Sequence, residues 1–154
     1  TDRVVAAVEE PVVAAVLLGK TAQAAERGIE LTLSAGSRVE GVPLPSRELV
    51  TVLGNLIDNA LDAVSGCADP RVVVRMETTE DRLDLRVEDN GPGLLQEAAS
   101  RAFERGWTTK RGDPDVGRGL GLALVAQVVR RYSGSVTVVR SELGGAAFWV
   151  RIPD

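Results

Sequence analysis

Three phrases decide the reading of this chain: D-N-G-P-G from Asp89 to Gly93, F-E-R-G-W-T-T-K from Phe103 to Lys110, and G-R-G-L-G-L from Gly117 to Leu122. Asp89 closes the alternating run R-L-D-L-R-V-E-D, so a carboxylate stands at the end of a half-buried strand. Asn-Gly and Pro-Gly then turn the chain. A polar loop punctuated by glycine follows, and a second glycine cluster opens an apolar helical run. Such an order suits a nucleotide. The carboxylate can accept from an exocyclic amine, the loop can fold over phosphates, and a helix N-terminus offers free N–H groups to them.

Some thirty residues upstream, G-N-L-I-D-N-A-L-D-A spans Gly54 to Ala63. It lies in a periodic segment, Arg47 to Val64, that predicts a helix capped by Ser46 and stopped by Ser65-Gly66. Leu49, Val52, Leu53, Leu56, Ile57, Ala60, Leu61 and Val64 form its expected core face. Asn55 and Asn59 are four apart and share another face, while Asp58 and Asp62 are rotated from them by about 100°. Amides on a buried helix must be hydrogen-bonded or coordinate something. A side-chain carbonyl oxygen suits Mg²⁺, whose other ligands are waters and phosphate oxygens. The plain alternative is a pair of asparagines on a helix edge.

The rest of the chain frames these segments. Thr1 to Arg27 reads as helix, with Val5, Val8, Val12 and Val16 as an apolar stripe and Gly28 as its stop. Pro11 either begins this helix or kinks a longer one. Such an apolar stripe is expected to belong to a larger helical element, with packing on the domain's own core as the plain alternative, so residues 1–27 are set apart from a domain over 28–154. Gly19-Lys20-Thr21 looks like the end of a Walker A loop, but Ala14 stands where that loop needs glycine, which rejects it.

Strands are expected at Ile29–Ala35, Arg71–Thr78, Arg82–Asp89, Ser135–Ser141 and Ala146–Ile152, with a turn or short strand at Gly41–Pro45. The last two strands form a hairpin around Leu143-Gly144-Gly145. A short helix near Leu95–Arg101 precedes the loop from Phe103 to Val116. The helix Leu120–Tyr132 ends at Ser133-Gly134. Helices interleaved with mostly antiparallel strands give an α+β class: a two-layer sandwich, one mixed sheet of about five strands under three helices.

Composition sets further bounds. The 154 residues suffice for one two-layer domain, and 44% apolar with 26% charged residues is ordinary for a globular protein. A net charge of −4 leaves no footprint for nucleic acid or an acidic membrane surface. The lone Cys67 pairs with nothing inside the chain, which points to a reducing, cytoplasmic setting. No run approaches the ~20 apolar residues of a membrane span. The absence of histidine excludes Ser-His and Cys-His catalysis and histidine-ligated metals.

Taken in order, N-x-x-x-N on a helix, D-x-G-x-G, a phenylalanine-led loop and G-x-G-L-G-L resemble the N, G1, F and G2 boxes of the GHKL superfamily, which shares the Bergerat ATP-binding fold. The wording G-N-L-I-D-N-A-L-D-A, F-E-R-G-W-T-T-K and L-L-G-K-x-x-x-A-x-E-R-G-I is most similar to the ATP-binding domains of bacterial sensor histidine kinases that sense citrate and C4-dicarboxylates. The resemblance runs from about Val12 to Pro153.

It implies Mg²⁺ and ATP as cofactors, with Asn59 as the principal Mg²⁺ ligand and Asn55 beside it on metal or phosphate. Asp89 would accept from the adenine amine, and Gly91 and Gly93 would make room for the base. Gly117, Gly119 and Gly121 would carry phosphate contacts, with Leu120 and Leu122 anchoring their helix. Phe103 would be the hinge of a lid from which Lys110, Arg105, Thr108 and Thr109 reach the distal phosphates. Trp107 receives no role. ATP-hydrolysing relatives such as gyrase and the Hsp90 chaperones carry glutamate at the Asn55 position, and an amide cannot take that proton.

The expected activity is therefore transfer of the γ-phosphate to a histidine on a separate dimerisation hairpin, of which residues 1–27 would be the end. A response regulator is the expected downstream partner. The chain itself is expected to be a monomer or weak dimer that does not phosphorylate itself, within a homodimeric protein anchored in the cell membrane. Two alternatives stand beside this: a serine kinase of the anti-sigma-factor branch, and a non-catalytic nucleotide-binding or docking module.

Overall fold

The computed structural model describes residues 11–34, 44–79, 82–91 and 116–153. Its central element is the helix α2, Ser46–Val64, flanked by α1, Pro11–Glu26, and α3, Val116–Arg131. The five strands are β1, Glu30–Leu33; β2, Arg71–Thr79; β3, Arg82–Asp89; β4, Ser135–Arg140; and β5, Ala146–Ile152. Four expected features lie wholly or partly outside the described residues: helix over residues 1–10, the start of the turn or short strand at residues 41–43, the helix at residues 95–101, and the loop at residues 103–115.

All eight apolar residues expected on the inner face of α2 are buried. Each fully buried leucine or isoleucine stabilises the fold by about 1.5–3 kcal/mol, which outweighs the helix propensity lost at Gly54. Ser46 is not the cap. It is the first helical residue, Pro45 occupies the N-cap, and no side chain among the described residues caps the helix. Proline fits there because its fixed φ and missing N–H cost a helix start nothing.

The sheet order is β1-β2-β3-β5-β4. β1 runs parallel to β2, and the remaining neighbours are antiparallel. The mixed, mostly antiparallel two-layer expectation therefore holds. α1 lies beside β1, α2 over β2 and β3, and α3 over β4 and β5, with α2 touching both other helices. Arg131 Nη1 donates to Glu48 Oε1 at 2.6 Å, pinning the end of α3 to the start of α2. Val72, Val74, Met76, Leu83, Leu85, Val87, Phe148 and Val150 fill the space beneath the helices. The opposite sheet face carries Trp149, whose Nε1 donates to Asp84 Oδ1 at 2.7 Å under the guanidinium groups of Arg86 and Arg151.

Two expected details differ. On α1 the buried residues are Val13, Ala14, Leu17 and Ala24, whereas Val12 is 46% exposed and Val16 only half-buried. The valine stripe was therefore set one residue off: the side packed on α2 and β1 selects the row beginning at Val13. At the end of α3 the left-handed residue is Ser133, with φ 60°, and not Gly134. Gly134 is small for another reason: a Cβ there would meet Ile152 Cγ1 and Val129 Cγ1, each at 2.9 Å.

Candidate functional site

Asp89 is the last residue of β3, and its side chain points toward the helices, where it is only 1% exposed. Its Oδ1 accepts from the backbone N–H of Gly91 at 2.9 Å and of Ala146 at 3.3 Å. Gly145 N–H donates to the Asp89 carbonyl at 3.1 Å. The second carboxylate oxygen, Oδ2, is buried with no partner among the described residues. Burial raises the carboxyl pKa above its ordinary value, and the N–H bonds from Gly91 and Ala146 oppose that shift. An ionised, half-satisfied carboxylate in the interior is costly unless a donor arrives from a ligand.

The flanking D-N-G residues divide their work. Asn90 does not face this interior. Its Oδ1 accepts from Arg71 N–H at 2.7 Å and its Nδ2 donates to the Asp69 carbonyl at 2.8 Å, tying the end of β3 to the segment after α2. Gly91 is buried against α2, where a Cβ would fall 2.6 Å from the Ala63 carbonyl oxygen.

On α2, Asn59 is 5% exposed, and its Oδ1 has no partner among the described residues. Asn55 is partly buried, with Nδ2 donating to the Thr51 carbonyl at 2.7 Å. That bond turns the carbonyl end of Asn55 toward α3, where a Cβ on Gly121 would meet Oδ1 at 2.9 Å. Asn55, Asn59 and Ala63 succeed one another at four-residue intervals along α2, so the Gly121 and Gly91 contacts lie about 12 Å apart along the helix axis. The strip so marked has a carboxylate beside one end and two amides toward the other.

Gly117, Gly119, Leu120 and Gly121 all lie within α3, which begins at Val116 and not at Leu120. The glycine cluster is thus the opening of the helix itself, where first-turn N–H groups have no intrahelical partner. Gly93, Phe103, Arg105, Thr108, Thr109 and Lys110 lie outside the described residues, as does Trp107. No cluster of three or more His, Cys, Asp or Glu side chains suited to a metal occurs among the described residues. A cation here would rest on amide and phosphate oxygens instead, and the orphaned Asn59 Oδ1 is a hard oxygen of the type Mg²⁺ takes.

Three contributors escaped the sequence reading. Gly145, in the β4–β5 turn, and Ala146, the first residue of β5, come 56 and 57 residues after Asp89, and Gly145 stands so close to Asp89 Oδ1 that no Cβ fits. The Gly144-Gly145 pair was legible only as a turn. Asn90 was legible only as part of a motif.

Residues 45–154 match the family described as histidine kinase-, DNA gyrase B-, and HSP90-like ATPases. The sensor protein CitS of Halalkalibacterium halodurans is 40% identical over 151 residues, covering 95% of this chain and 27% of that protein. The sensor histidine kinase DcuS of Escherichia coli K12 is 35% identical over 149 residues, again covering 95% of this chain and 26% of its own length. The chain thus spans about a quarter of the length of these curated relatives. Among solved structures, full-length ShkA in complex with AMPPNP is 30% identical with a TM-score of 0.69, over 94% of this chain and 29% of that one. No described helix is long and apolar enough to cross a membrane.

Proposed function

The chain belongs to the family of histidine kinase-, DNA gyrase B- and HSP90-like ATPases, and on that premise we propose that it binds Mg²⁺-ATP as the catalytic domain of a sensor histidine kinase. The observation that carries this reading is two buried oxygens without a partner among the described residues, Asp89 Oδ2 at the end of β3 and Asn59 Oδ1 on α2. Asp89 accepts from the adenine amine, held by its bonds to Gly91 and Ala146. Asn59 holds Mg²⁺, and Asn55 holds metal or phosphate beside it. Bound Mg²⁺ supplies charge neutralisation on the phosphate oxygens. The first turn of α3 adds backbone N–H groups for the phosphates, and Lys110, Arg105, Thr108 and Thr109 are their further proposed contacts.

Asn55 is an amide and takes no proton from water, so hydrolysis is slow and the bound γ-phosphoryl group is kept for transfer. In that transfer the bond to the β-phosphate oxygen breaks, a bond to an imidazole nitrogen forms, and ADP remains. The chain has no histidine, so the acceptor lies on a separate segment of the full protein, and a response regulator takes the phosphoryl group onward. The full protein is a membrane-anchored homodimer, with this domain on the cytoplasmic side.

Isothermal titration of ATP into the chain, with and without Mg²⁺, tests this reading. Binding is expected to depend on the metal and to be lost in both Asn59→Ala and Asp89→Asn. Absence of binding at millimolar ATP in the wild-type chain would overturn it.

A further inference from the structure

Lys20 lies on α1, well outside the motifs that built the site. Its ammonium group donates to Asp58 Oδ1 at 2.7 Å across 38 residues of sequence, and the side chain is 21% exposed. Its stem runs over Gly54: a Cβ there would already touch Lys20 Cε at 4.0 Å, so a longer side chain would stand in its path. Gly54 and Asp58 immediately precede Asn55 and Asn59 on α2, and they form the helix row about 100° around from the asparagines. Toward the C-terminal end of both helices, Arg27 Nη2 donates to Asp62 Oδ1 at 3.4 Å and to the Leu61 carbonyl at 3.5 Å.

We infer that Lys20 is a positioning residue for the Mg²⁺-nucleotide site, acting through Asp58 to fix the rotation of α2 and so the aim of Asn55 and Asn59. The inference rests on the proposed nucleotide site and adds to it a connection from α1. The apolar contacts of Val13, Ala14 and Leu17 bring α1 against its neighbours through a driving force that has no direction of its own. A charge-assisted hydrogen bond at 2.7 Å has a direction. Asp58 is the residue just before Asn59 on α2, so a change in α1 reaches the metal-holding row before the adenine end at Asp89.

The test compares wild type with Lys20→Met, which keeps the stem over Gly54 and removes the charge, Asp58→Asn, the double variant, and Lys20→Arg as the conservative rescue. Mg²⁺-ATP affinity, affinity for metal-free ADP, thermal midpoint and the side-chain amide NMR signals of Asn55 and Asn59 are measured for each. Lys20→Met and Asp58→Asn are each expected to weaken Mg²⁺-ATP about threefold, the scale of a partly exposed ion pair. The double variant is expected to be no weaker than either, Lys20→Arg to recover most of the loss, and metal-free ADP to bind as in wild type. Shifted asparagine signals should accompany the loss. Unchanged Mg²⁺-ATP affinity with only a lowered thermal midpoint, or equal losses for both ligands, would overturn the inference while leaving the nucleotide site intact. A wild-type chain that binds neither ligand would instead overturn the functional reading, and this inference with it.

Discussion

Gly121 of α3 stands against the side chain of Asn55 on α2 so closely that a Cβ at Gly121 would lie 2.9 Å from Asn55 Oδ1. The two helices thus meet at the point where one presents an amide and the other its opening turns. The contact is with the end of a side chain and not with backbone, so Asn55 can swing away and the fold can absorb the change. Gly121→Ala is expected to raise stability by up to about 1 kcal/mol through helix propensity. It is also expected to weaken Mg²⁺-ATP by about tenfold or more, as loss of an oriented ligand does. Urea denaturation and calorimetric titration of the same sample would show opposite signs. Equal affinity would remove Asn55 from the site.

Gly145→Ala should behave in the reverse way. Its Cβ would fall on the Asp89 carboxylate, 2.5 Å from the Asp89 carbonyl oxygen and 2.7 Å from Gly91 N, so backbone as well as side chain must shift. A stability loss of about 1–3 kcal/mol is expected, together with loss of nucleotide binding. A variant as stable as wild type would show that the β4–β5 turn is free to move off Asp89.

Asp89→Asn separates stability from binding. Burial raises the Asp89 pKa, so between the ordinary and the raised value the folded chain holds a proton that the unfolded chain has lost. Ionised Asp89 therefore costs stability at neutral pH, and the cost is relieved as pH falls through the raised value. The uncharged amide should be at least as stable as wild type near neutrality, with the difference shrinking on mild acidification. ATP binding should be lost at every pH. Denaturant midpoints at neutral and mildly acidic pH provide the check, and a variant much less stable at neutrality would contradict it.

Acidification should also weaken ATP binding by the wild-type chain, because a protonated Asp89 no longer offers a fully accepting carboxylate to the adenine amine. The onset is expected above the ordinary carboxylate range, in the direction burial dictates. Titrating ATP across that range would reveal it. Affinity constant down to the ordinary Asp range would place the adenine contact elsewhere.

Asn90→Ala tests a residue inside the same motif that faces away from the site. It removes the bonds to Arg71 N–H and the Asp69 carbonyl, so a stability loss of about 1–2 kcal/mol is expected. ATP affinity should stay within about threefold, since Asn90 contributes neither of the N–H groups that hold Asp89. A much larger loss of binding would make Asn90 part of the ligand contact.

Periodicity alone was enough for the α2 core face and for five strands, whereas the grouping of Asn55, Asn59, Asp89 and Gly121 came from the resemblance of their motifs to a known family. The core face and the strands depend on neighbours three, four or two residues away, and a sequence displays them directly. It was less able to choose between adjacent rows on α1, where Val12 and Val13 are chemically alike, or to see that Pro45 and not Ser46 heads α2.

What only the tertiary structure decided are contacts between residues far apart in the chain. Ala146 donates to Asp89 across 57 residues, and Lys20 to Asp58 across 38. Neither contact carries a local signal: Lys20 stands in a legible L-L-G-K run, but nothing near it in the chain points to Asp58, and an alanine N–H looks the same wherever it stands. The parallel pairing of β1 with β2 and the insertion of β5 between β3 and β4 bring these distant residues together. The sequence displayed the residues proposed here to hold a nucleotide; sheet order and helix packing decided which backbone and which charges hold those residues in place.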